Sequence, residues 1–128
     1  MVTRRRIRRL VVDGTEYGWA FGHRHDRVLG YPGCASKVTL WRPGSRARLR
    51  LVFRPGEGRI IADDSFDRGA AVRMPGQICL NLYEPGTVRA LLDEALARGL
   101  FPTTERTVEV DAWPLFDAVT PPVPPPAG

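Results

Sequence analysis

The chain has 128 residues, 43% of them apolar and 26% charged, with a formal net charge of +5. That length suits one domain with a core of its own. It excludes several classes at once. No apolar run approaches the ~20 residues of a membrane helix, nothing reads as a secretory signal, and Cys34 and Cys79 are too few for a disulfide framework or an all-cysteine zinc site.

These absences predict a cytoplasmic protein with no membrane association. The charge is unevenly placed. Arg4, Arg5, Arg6, Arg8 and Arg9 fall in the first nine residues with no acid among them. The remainder holds 14 basic residues (19 minus 5) against 14 acidic ones and is neutral. The chain divides into a basic arm over 1–5, a single α+β domain over 6–118 and a disordered proline-rich tail over 119–128.

Two β-prone runs, 6–12 and 15–21, flank Asp13-Gly14, a pair suited to a type I′ turn with φ > 0 at both positions. A two-residue turn fixes the register: Val12 faces Thr15, Leu10 faces Tyr17, Arg8 faces Trp19 and Arg6 faces Phe21. The face with Leu10, Val12, Tyr17, Trp19 and Phe21 is the buried one, and Arg8 is placed over Trp19. Residues 22–36 lack periodicity and read as a loop.

Strands follow at 37–42 and 46–54. The second alternates Ala47, Leu49, Leu51 and Phe53 against Arg46, Arg48, Arg50 and Val52. A short strand at 59–62 and a hairpin over 70–74 and 77–83 come next. Val88, Leu91, Leu92, Ala95 and Leu96 form a helical stripe, opened by Pro85 and closed by Gly99. A strand at 107–111 and one helical turn at 113–119 complete the domain. The expected fold is an antiparallel meander sheet of five to seven short strands packed against one main C-terminal helix. The helix covers one face of the sheet and leaves the other open to a partner.

The stretch Pro85-Gly86-Thr87-Val88-Arg89-Ala90-Leu91-Leu92, its continuation through Ala95-Leu96-Ala97-Arg98-Gly99, and Val108-Glu109-Val110-Asp111-Ala112-Trp113 resemble small uncharacterised actinobacterial proteins. The resemblance spans about residues 8–117. It rests on packing and capping residues, so it implies a shared fold and carries no activity.

Three constellations bear on function. His23 and His25 alternate along an extended segment, so both imidazoles can reach one metal, with Asp26 or Cys34 as a third ligand. Arg24 and Arg27 beside them oppose a cation, and the simpler account is two polar residues at a strand end. The second constellation is basic: Arg4, Arg5, Arg6 and Arg8 in the arm, and Arg46, Arg48 and Arg50 on one strand face, suited to a phosphate backbone. Trp41 is the aromatic best placed among these arginines. The third is the open sheet face itself.

No Gly-x-Ser-x-Gly, phosphate loop or twelve-residue calcium loop is present. No motif calls for a cofactor, and the chemistry leans away from an enzyme. The leading expectation is a non-enzymatic interaction or accessory domain with a protein partner. Nucleic-acid binding through the arginines and a small metal-dependent protein using His23, His25 and Asp26 are the alternatives.

Overall fold

The computed structural model describes residues 7–62 and 69–122. The fold is α+β. Its elements in chain order are β1 (Arg8–Val12), β2 (Thr15–Arg24), β3 (Ala35–Trp41), β4 (Arg48–Phe53), β5 (Arg59–Ile61), β6 (Ala70–Arg73), β7 (Ile78–Asn81), α1 (Pro85–Ala97), β8 (Thr107–Asp111) and α2 (Trp113–Val119). No helix among the described residues is long and apolar enough to cross a membrane.

The opening hairpin forms in the register its turn dictates. Asp13 and Gly14 have φ of 49° and 79°, and Val12 pairs with Thr15, Leu10 with Tyr17 and Arg8 with Trp19. Arg6 lies outside the described residues, so its pairing with Phe21 does too. The Arg8 guanidinium sits 5.6 Å from the centre of the Trp19 ring.

The strands make two sheets rather than one meander. The larger has the order β1-β2-β3-β4-β8, and the smaller β5-β6-β7. The first three pairings of the large sheet are antiparallel, but β8 joins β4 in parallel. The chain leaves β4, builds the small sheet and α1, and only then returns to the edge. A crossover of that length delivers a parallel strand, as no hairpin can.

The side chains of Val12, Tyr17, Trp19, Val38, Leu40, Leu49, Leu51 and Phe53 fill one face of the large sheet. Val88, Leu91, Leu92 and Ala95 of α1, with Leu115 and Phe116 of α2, close over them. Leu10 and Leu96, expected on buried faces, lie at its margin beside Ile78 and Leu80, while Ile61, Leu82 and Phe116 are fully enclosed. Gly99, at φ 68°, ends α1. The Leu100 amide then donates to the Ala95 carbonyl and the Gly99 amide to that of Leu96, both at 3.0 Å. This six-to-one and five-to-two pairing satisfies the last helical carbonyls.

An ion cluster couples α2 to the small sheet. Arg59 grips Asp117 with two bonds of 2.7 and 2.8 Å, and the buried Arg73 adds a third at 2.9 Å. Arg73 also donates to Thr120 and to the Pro121 carbonyl. The domain's contacts thus run past residue 118, while 123–128 of the tail lie outside the described residues.

Candidate functional site

The segment expected as a loop over 22–36 is loop only over 25–34; its two ends are strand. β2 runs on to Arg24, and β3 begins at Ala35. His23 is therefore held in a ladder, paired with Ser36, and Arg24 is paired with Ala35. Carrying that antiparallel register one residue further sets Cys34 across from His25, on the same face. The result is a trio. Ligand atoms of His23, His25 and Cys34 all lie within 4.8 Å of one another, and the two imidazoles meet edge to face with centres 4.5 Å apart.

The supporting shell is polar and local. His23 Nδ1 is 3.0 Å from Ser36 Oγ, and Ser36 is fully buried. In the tautomer whose Nδ1–H donates to that hydroxyl, Nε2 carries the lone pair, as in metal-bound histidines whose other ring nitrogen is hydrogen-bonded. Cys34 is buried and His25 is exposed, so the trio opens to solvent on the His25 side.

The loop between the strands is tied down at several points. A 3₁₀ turn spans Tyr31–Gly33, and the Cys34 amide donates to the Tyr31 carbonyl at 2.9 Å. The Tyr31 hydroxyl donates to the Ile61 carbonyl at 2.9 Å and accepts from the Ile61 amide at 3.0 Å. These bonds fasten the Cys34 loop to β5.

Asp26 does a different job from the ligand role expected of it. Its carboxylate accepts the amides of Leu29 at 2.7 Å and Val28 at 2.9 Å. Those two amides, Leu29 first, hold its carboxyl below the usual range. It is the residue that turns the loop. Cys34, not Asp26, lies with the two histidines in the trio. Arg24 points to the opposite sheet face from His23 and His25, by strand alternation.

The arginines are dispersed over both faces. Arg8 belongs to the core side, where its guanidinium also donates to the Tyr83 carbonyl at 3.3 Å. Arg48 and Arg50 lie on the open face, with two strands between them and β1. Arg46 is exposed and precedes β4. Arg4, Arg5 and Arg6 lie outside the described residues. Trp41 is on the open face, laid over Gly18, where a methyl group would come within 2.6 Å of the indole. The Arg48 guanidinium sits 5.1 Å from the centre of the Trp41 ring. Arg50 and Arg54 both reach Glu109, at 3.1 and 3.5 Å. Glu109 is thereby held below the usual carboxylate range, Arg50 contributing most.

The open face also carries a depression of about 120 Å³ lined by Gly22, His23, Arg24, Lys37, Thr39 and Arg50. Sequence reasoning did not connect Arg24 and Lys37 with the arginine stripe, because they lie on two other strands. Compared with protein-family models, curated protein sequences and solved structures, the chain matches none of them.

Proposed function

We propose that this is a metal-binding accessory domain that holds one zinc-class ion through His23 Nε2, a nitrogen of His25 and Cys34 Sγ. The observation that carries the reading is the convergence of these three donors within 4.8 Å. In a tetrahedral zinc site with bonds of ~2.0–2.3 Å, neighbouring ligand atoms stand roughly 3.4–3.7 Å apart. Two imidazoles and a thiolate suit Zn²⁺ or Cu⁺, and disfavour Mg²⁺ and Ca²⁺.

Three protein ligands leave a fourth position, on the solvent side. That composition fits an ion that is presented to something outside the domain. Isothermal titration with ZnCl₂ tests the reading. One ion per chain is expected, with affinity at least about tenfold lower in Cys34→Ser and His25→Ala and unchanged in Asp26→Asn. No zinc uptake, or uptake indifferent to Cys34, would defeat it.

A second observation favours a protein partner at the same loop. Val28 and Leu29 at its tip are 93% and 68% exposed. A partner docking there would meet the ion's open side. Val28→Ser with Leu29→Ser is expected to abolish co-purification of that partner while leaving zinc affinity intact.

A further inference from the structure

We propose that the open face of the large sheet binds the phosphodiester backbone of a single-stranded nucleic acid. One phosphate sits in the depression between Arg24, Lys37, Thr39 and Arg50, and the next meets Arg48. The imidazoles of the proposed metal centre project from the opposite face, although His23 also contributes to the lining of the depression.

Several observations converge on it. The depression is far larger than the ~10–15 Å³ that one water needs, and its lining includes three cations and no acid. The cations come from β2, β3 and β4, brought side by side by the pairings of Gly22 with Lys37 and of Thr39 with Arg50. Arg48 adds a fourth cation on the same face. Its guanidinium lies over the Trp41 ring, with Nη1 shielded there and without a hydrogen-bond partner among the described residues.

Arg48 and Arg50 are two residues apart on one strand, roughly 6.7 Å along it. Cations repeated at such a spacing suit an anion that also repeats. Trp41 is laid over Gly18 with the Arg48 guanidinium over its ring, and that guanidinium plane is a surface on which a base can stack, as in single-strand binders. Glu109 pairs with Arg50 and Arg54. It therefore competes with a phosphate for Arg50.

Fluorescence polarisation with labelled oligothymidylate and oligouridylate, across a salt series, tests the proposal. Four cations on phosphates predict a slope of log K against log salt near −3, at about −0.7 per contact. Lys37→Gln combined with Arg50→Gln is expected to weaken binding at least tenfold at low salt and to flatten the slope by about 1.4. Glu109→Gln is expected to tighten binding, which loss of a structural ion pair alone would not do.

Binding that keeps its affinity and slope in the double variant would assign it to arginines 4–6 and overturn the proposal. So would absence of binding at low salt, preference for a duplex competitor, or equal competition by inorganic phosphate at matched charge. If the double variant fails to fold, Glu109→Gln decides alone: unchanged or weaker binding overturns the site.

Discussion

Removing the Asp117 carboxylate strips the shared partner from two arginines. In the wild type, Arg59 holds both oxygens at 2.7 and 2.8 Å, and Arg73 holds one at 2.9 Å. The Arg73 side chain is 6% exposed, Arg59 27% and Asp117 40%. Breaking a fully buried pair costs about 3–5 kcal/mol, because the surviving charge is left in a poor solvent. Two features reduce that here. Water reaches the exposed side of Asp117, and Arg73 keeps Thr120 and the Pro121 carbonyl as acceptors. Asp117→Ala is therefore expected to cost about 2 kcal/mol, and Asp117→Asn about 1 kcal/mol. For a chain of this length about 2 kcal/mol corresponds to a fall in Tm of roughly 6–10 °C. Urea unfolding followed by circular dichroism measures it. Glu16→Ala is the control, since its partner Arg9 is 79% exposed, and it should fall within about 0.5 kcal/mol of wild type. An Asp117→Ala variant as stable as that control would refute the coupling of α2 to the small sheet.

The same carboxylate makes an acid-limb prediction. Asp117 is held below its ordinary range, Arg59 being the first cause, so the unfolded chain takes up a proton before the folded one. Its contribution is present above the unfolded value of about 3.9 and is lost as pH falls through the folded value; Asp117→Asn should flatten stability against pH below about 4. Tyr31→Phe removes the hydroxyl that bonds both backbone groups of Ile61. It should cost about 1–2 kcal/mol and also lower zinc affinity, although Tyr31 is not a ligand. Ser36→Ala, which removes the partner of His23 Nδ1, is expected to weaken zinc binding about 10–100-fold in titration. Gly18→Ala should push Trp41 off the sheet. Trp19 and Trp113 are 1% and 7% exposed, so increased acrylamide quenching in this variant reports on Trp41, and unchanged quenching would contradict the placement.

The features legible from sequence are those fixed by short-range chemistry. Asp13-Gly14 set the register of the first hairpin because a two-residue type I′ turn allows no other. Pro85, the apolar stripe and Gly99 set the bounds of α1, and alternation assigned Leu49, Leu51 and Phe53 to the core. What escaped depends on distant pairings. The β2–β3 connection, residues 25–34, is too long for its length to dictate a register, so the meeting of Cys34 with His25 had no local signature. Asp26 looked like a ligand because it is an acid beside two histidines. Its spacing to the Val28 and Leu29 amides makes it a turn former first. The parallel union of β4 and β8 required a route through the small sheet and α1. Arg8 counts with the charge run although the hairpin register already places it over Trp19, on the face opposite Arg48 and Arg50.

The central claim is that His23, His25 and Cys34 form one metal site, and cobalt substitution tests it most directly. Titration of the purified protein with Co²⁺, followed by absorption, reports ligand type and geometry together. The account predicts saturation at one ion per chain, intense visible bands of a four-coordinate ion and a near-ultraviolet thiolate-to-cobalt band that disappears in Cys34→Ser. A weak six-coordinate spectrum, the same in wild type and Cys34→Ser, would contradict it.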